Sequence, residues 1–189
     1  MKILMCGDSF SYDHDNENSW VTKLRSNFQV TNLSQCGIGE YKIYQQLKSV
    51  DVNNFDKILV SHGSPNRLYI NQEYALHKDR THKNSDLIFT DVENKKDNNQ
   101  LANIAYNYFI NIFDLEYYSY IHNLICQDID QLTRHTDILH ITHFNYSNLY
   151  NFNKKLIEFH DIWMQHPGNI NHYDPTGNTL VYKKLVELL

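Results

Sequence analysis

The chain of 189 residues predicts a three-layer α/β fold, a parallel sheet with helices on both faces. Two observations carry that prediction. Short apolar runs alternate with segments of helical period in the order β-α-β-α-β-insertion-α-β-α-α, the pattern of parallel strands joined by helical crossovers. The six glycines and three prolines fall in four clusters: Gly7; Gly37 with Gly39; Gly63 with Pro65; and Pro167, Gly168, Pro175 with Gly177. Each of the first three clusters follows an apolar run, where a chain must turn sharply or admit another group.

Taken in order, Lys2–Cys6 reads as a buried strand closed by Gly7. Ser19 is placed to cap a helix over Trp20–Phe28, with Trp20, Leu24 and Phe28 at four-residue steps. Gln29–Leu33 is a second strand, Glu40–Val50 a helix with Ile43 and Leu47 inward, and Lys57–Ser61 a third strand. Asn71–Gln100 is polar and without sustained period; it reads as a long loop or irregular insertion, solvated or serving as a lid or partner element. Leu101–Leu132 is helical with a break, and two apolar stripes run along it. One holds Leu101, Ile104, Tyr108, Ile112 and Leu115, the other Phe109, Phe113, Tyr117, Tyr120 and Leu124. Together they predict a broad core face, with an oligomer seam or an aromatic ligand wall as the sharper alternatives. Asp137–Thr142 is a fourth strand, Leu149–Trp163 is amphipathic and partly helical, and Pro175–Leu189 is a closing helix.

Composition narrows the class. Apolar residues make up 41% and charged residues 21%, which is globular rather than disordered or collagenous. With no linker or internal repeat, residues 1–189 are expected to form one domain carrying the insertion at 71–100. A net charge of −5 argues against a nucleic-acid partner. No apolar run is long enough to span a membrane, and the amino terminus does not read as a signal peptide, so a cytoplasmic protein without a membrane partner is expected. Three cysteines (Cys6, Cys36, Cys126) are too few for a disulfide framework. His135, His140 and His143, and His160 with His166, have only loose metal-like spacing and no accompanying zinc signature. No metal and no cofactor is therefore expected.

In open α/β sheets, ligands bind beyond the carboxyl ends of the strands. Gly7-Asp8-Ser9-Phe10, Asn32–Gly37 and Ser61-His62-Gly63-Ser64-Pro65-Asn66-Arg67 all fall there, and a fourth segment runs from Asn169 to Asn178. These supply the parts of an acyl-transfer site. Ser9 follows a tight glycine turn that would present its hydroxyl, which needs a base to become a nucleophile. His172, just ahead of a proline-started helix, is the candidate base. The N–H groups of Ser9 and Gly37 and the amide of Asn66 are candidate oxyanion donors. Asp8, His62, Arg67 and His143 stand near strand ends as candidate pocket residues. Asp8 is expected to brace its turn, and Arg67 to meet an anionic substrate group or a surface carboxylate.

These four blocks, in this order along nearly the whole chain, resemble the SGNH (GDSL-type) hydrolases: Gly7-Asp8-Ser9, Asn32 to Gly37, Gly63 with Asn66, and His172 with Pro175 and Gly177. The resemblance implies a flavodoxin-like, mostly parallel central sheet. It also implies a serine esterase acting on short acyl or O-acetyl esters, carbohydrate esters included. It assigns Ser9 as nucleophile, His172 as base, and Ser9, Gly37 and Asn66 as the oxyanion hole. The partner is then a small-molecule or glycan ester, with a homo-oligomer through 101–132 as a further expectation. The chain departs from the family in two places. Its third block is one residue longer and ends in Arg67 rather than Asp, and the triad acid is replaced by Asn169. An amide orients an imidazole without stabilising its cation; in a serine protease triad that exchange costs roughly 10⁴ in turnover. The departures leave a Ser–His dyad or degenerate triad as the expected machinery. A catalytically weakened binding module and an acyltransferase using Ser9 are the alternatives.

Overall fold

The computed structural model describes residues 1–13, 18–71, 76–77, 79–145, 149–168 and 172–189. Strands β1 (Lys2–Gly7), β2 (Gln29–Asn32), β3 (Lys57–His62), β4 (Ile138–Thr142) and β5 (Leu156–Glu158) form one sheet. Their spatial order is β2-β1-β3-β4-β5, and every neighbouring pair is parallel. This is the flavodoxin-like doubly wound order. All five carboxyl ends therefore lie along one edge, and the order reverses between β1 and β3, the place where such sheets open a crevice.

Both faces of the sheet are covered, so the strands read as apolar runs rather than as alternating patterns. On one face Ile3, Met5, Leu59, Leu139, Ile141 and Ile157 pack under helices α1 (Trp20–Arg25) and α7 (Pro175–Val186) through Trp20, Leu24, Val181 and Leu185. On the other, Leu4, Cys6, Ile58, Val60 and Ile138 meet α2 (Glu40–Lys48) and α5 (Leu115–Leu132) through Ile43, Leu47 and Ile129. The Trp20 amide donates to Asn178 Oδ1 (3.1 Å), which ties α1 to α7.

The expected elements are present, with three corrections. Leu149–Trp163 holds strand β5 as well as helix α6 (His160–Gln165); three residues are too few to show a strand period. The 71–100 segment is neither a plain loop nor a solvated excursion, for it contains helix α3 (Phe89–Lys95) and contributes Leu76, Leu87 and Val92 to a third apolar cluster. Helix α4 (Gln100–Asn111) packs on α3, not on the sheet, and buries only Ala102 and Ala105. The predicted broad core face is correspondingly narrower: Ile104, Ile112, Leu115, Tyr117, Tyr120 and Leu124 are exposed. Among the described residues no helix is long and apolar enough to cross a membrane.

The insertion is pinned by one carboxylate. Buried Asp86 accepts from the Gly39 and Ile70 amides and pairs with buried Lys42 of α2 (2.7 Å). Removing one partner from such a pair leaves the other charge buried and unmatched. Asp86→Ala is expected to destabilise the fold by about 3–5 kcal/mol and to open protease cleavage sites within 71–100. An unchanged urea midpoint with an unchanged digestion pattern would show that the pin is dispensable.

Candidate active site

The turn after β1 is built for close approach. Gly7 donates its amide to Gln46 Oε1 of α2 (2.8 Å), and a Cβ on Gly7 would lie 2.3 Å from Ser11 Oγ and 2.6 Å from Ser61 Cβ. Asp8 then folds the chain back: its Oδ1 accepts from the Phe10 amide (3.0 Å) and its carbonyl from the Ser11 amide and hydroxyl. The Trp20 indole N–H donates to the Phe10 carbonyl (2.9 Å). Asp8 is thus the expected brace. It is buried, and burial pushes its carboxyl up to about 7 against the opposing pull of the Arg67 guanidinium and the Phe10 amide.

The base segment is held as tightly. The His172 carbonyl accepts from the Gly168 amide (2.6 Å), and Pro167 and Tyr173 form a bridge. Asp174 caps α7, its Oδ1 accepting from the Gly177 amide (2.7 Å), and its other oxygen faces His166 at 3.5 Å. That carboxylate is therefore committed to the helix start. Asn169, the residue in the triad-acid position, lies outside the described residues.

Ser9 and His172, from opposite ends of the chain, line the same two cavities. The larger, about 790 Å³, also takes in Gly37, Asn66 and Arg67. The four candidates for nucleophile, base and oxyanion hole thus line one cavity, with Arg67 from the candidate pocket set. Gly37 has φ +74°, a left-handed conformation that glycine adopts freely. Its carbonyl accepts from Arg67 Nη1 and from the Asp86 amide, both at 2.8 Å. Arg67 is half-buried and braced on the Gly37 turn. Asn66 is exposed, its backbone N–H donating to Ser64 Oγ (3.2 Å). The far wall is aromatic and apolar, with Phe89, Phe109, Phe113, Leu115, Phe144 and Trp163. The insertion, α4, the start of α5 and the turn between these helices supply four of these six, so part of the apolar stripe lines a cavity rather than the core. The smaller cavity, about 560 Å³, is more polar, with Tyr12, Ser19, Asp174 and Asn178.

His62, His143 and Asp8, expected as pocket residues, are fully buried behind the cavities. His143 stacks on Phe10 (4.5 Å, 9°), the neighbour of Ser9, and its Nδ1 meets the hydroxyl of Tyr173 (2.6 Å), the neighbour of His172. Burial, helped by the charge of His172, pushes its imidazole down to about 3. Tyr173 stays protonated, burial raising its phenol. A neutral ring donates from one nitrogen and accepts at the other, and the Tyr173 hydroxyl at Nδ1 and the Ser61 hydroxyl at Nε2 (3.1 Å) can take the complementary roles. His62 belongs to a second assembly on the opposite face. Its Nδ1 contacts Glu40 Oε1 (2.7 Å) and its Nε2 contacts His140 Nδ1 (2.9 Å). Burial opposes the charge of Glu40, but His62 and His122 outweigh it and hold the carboxyl far below its ordinary range. Sequence reading missed this assembly because its members stand on different elements with no recognisable spacing.

No protein-family model matches the chain, and no curated protein does. One solved structure, a possible lipase from Chitinophaga pinensis DSM 2588, is 14% identical with a TM-score of 0.33; the match covers 74% of this chain and 47% of that one. The chain thus spans about half the length of that protein. So distant a likeness says nothing about catalysis here.

The state of His143 makes stability depend on pH. Its folded value lies below its unfolded value, so between about 3 and 6.5 the unfolded chain binds the extra proton and stability falls as pH drops. The groups that face this ring and can titrate are Tyr173 and His172. From pH 6.5 to 4.5 the wild type is expected to lose about 2–3 kcal/mol more than His143→Gln. Parallel stability curves for the two proteins would refute a neutral His143.

Proposed function

We propose that this chain is a serine hydrolase of the SGNH type, cleaving short acyl or O-acetyl esters. One observation supports the reading above the others: Ser9 and His172 line the same cavities at the switch point of a parallel sheet, and Gly37 and Asn66 line the larger of the two. In the proposed mechanism the Ser9 hydroxyl attacks the ester carbonyl while His172 takes its proton. The N–H groups of Ser9 and Gly37 and the Asn66 amide receive the developing oxyanion, with the positive charge of Arg67 nearby. Collapse expels the alcohol, protonated by His172. Water then attacks the acyl-enzyme with His172 again as base, and the acid leaves. A cavity of about 790 Å³ far exceeds an acetyl group, so the alcohol side supplies the bulk of the substrate; flat aromatic walls suit the face of a sugar.

The amide at Asn169 motivates a second reading, a hydrolase-like binding module with weakened catalysis. A fluorophosphonate probe separates the two. The wild type is expected to label at one serine, with no labelling in Ser9→Ala and aryl-acetate turnover falling by about 10²–10⁴ in His172→Ala. Folded wild type that neither labels nor turns over aryl acetate would establish the binding module. Asn169→Asp is expected to raise turnover where the amide limits the site.

A further inference from the structure

On the face of the sheet away from Ser9, four potential ligands converge from three elements. Glu40 stands at the start of α2, His62 at the end of β3, and His122 and Cys126 one turn apart on α5. Glu40, His122 and Cys126 each offer a ligand atom within 4.8 Å of the others. All four residues are at most 5% exposed. We propose that this cluster is a closed, structural zinc site with Cys126 Sγ, His122 Nδ1, His62 Nδ1 and a Glu40 carboxylate oxygen as its ligands.

The distances suit a tetrahedral ion. Zinc bonds of about 2.3 Å to sulfur and about 2.0–2.1 Å to nitrogen or oxygen place neighbouring ligands roughly 3.6 Å (S to N) and roughly 3.3 Å (N to O) apart. Cys126 Sγ lies 3.6 Å from His122 Nδ1 and 3.9 Å from His62 Nδ1. The 2.7 Å contact between His62 Nδ1 and Glu40 Oε1 is shorter than such an edge and must open by roughly half an ångström.

The outer nitrogens provide a second, independent observation. A metal-binding imidazole gives its remote N–H to a carbonyl, carboxylate or other acceptor, which fixes its tautomer and orientation. His122 Nε2 lies 3.0 Å from the Gly63 carbonyl and 3.3 Å from Glu40 Oε2, which leaves Glu40 Oε1, the oxygen beside His62, as the ligand atom. His62 Nε2 lies 2.9 Å from His140 Nδ1, whose ring faces Asp130 at 3.8 Å. Both inner nitrogens are thereby left facing the sulfur.

Charge closes as well. A divalent ion, one thiolate and one carboxylate sum to zero, the state a buried site tolerates at least cost. Binding releases the Cys126 proton to solvent and requires no redox partner. Thiolate, two imidazoles and a carboxylate in tetrahedral array select zinc over magnesium or calcium. The site would clamp α2, β3 and α5 together beneath Gly63, whose amide already donates to Glu40 Oε2 (3.0 Å).

The test is metal content, independent of any esterase activity. Protein made in zinc-supplemented medium and purified without chelator is expected to carry one zinc per chain. Refolded with cobalt, it should show a thiolate-to-cobalt charge-transfer band and the intense visible bands of tetrahedral cobalt. Cys126→Ser should lose the charge-transfer band although Cys6 and Cys36 remain, and His122→Gln should lower the bound zinc severalfold. Native protein that folds with less than about a tenth of an equivalent of metal, and takes up no cobalt on refolding, would overturn the site. So would zinc that both variants retain in full, for it would then be held elsewhere. Should the variants fail to fold, metal content and cobalt spectra of the wild type decide alone.

Discussion

Burial of every central strand on both faces governs how this molecule can place polar groups. Successive residues of a strand serve opposite layers, so the parity of a position decides which assembly it joins. Ser61 and His62 are adjacent at the end of β3, yet Ser61 meets His143 behind the Ser9 crevice while His62 meets Glu40 on the α2 and α5 side. His140 and His143 divide in the same way at the end of β4. A one-residue slip of either strand would exchange the two assemblies and strand each histidine among apolar side chains. The paired registers of β1, β3 and β4 hold that parity in place.

Within that frame, the crevice depends on a neutral ring. His143 touches Phe10 on one side and Tyr173 on the other, and so joins the neighbours of Ser9 and His172 across the whole length of the chain. A charged imidazole there would meet hydroxyls rather than a carboxylate at its two nitrogens, and the coulombic effect of His172 opposes it. Tyrosine and serine hydroxyls are the partners that satisfy a neutral ring fully, one donating and one accepting. The alignment of the two candidate catalytic residues thus rests in part on His143, a ring that lines neither cavity.

Legibility in the sequence followed the length scale of each feature. The long apolar runs of β1, β3 and β4, bounded by scarce glycines, announced a parallel sheet and located its carboxyl edge, and with it Ser9, Gly37, Asn66 and His172. Strand β5 was silent because three residues carry no period. The α4 stripe misled because its apolar residues face solvent and the cavity as well as the core. The placement of the histidines was legible only in part: position near a strand end says nothing about which face a ring takes. That depends on register to a single residue, which local sequence does not report. His122 and Cys126 stand one turn apart on α5, but Glu40 and His62 come from two other elements, and no spacing rule connects them to that pair.

The insertion shows how a segment without catalytic residues can still set the geometry of a site. Ser85 sits against Gly37 so closely that a Cβ on the glycine would lie 2.6 Å away, and the next residue, Asp86, donates its amide to the Gly37 carbonyl while its carboxylate holds Gly39. Arg67, which follows the lengthened third block, donates to the same carbonyl. Two donors on one carbonyl fix the plane of the peptide that Gly37 shares with Ile38, and the left-handed φ fixes its other side. In the proposed esterase, a single misaligned oxyanion donor costs about 10²–10³ in rate. The tight anchoring of a polar, irregular segment to one glycine therefore has a ready physical purpose. It makes the Gly37 turn rigid before substrate arrives, so that no reorganisation is left for the reaction itself.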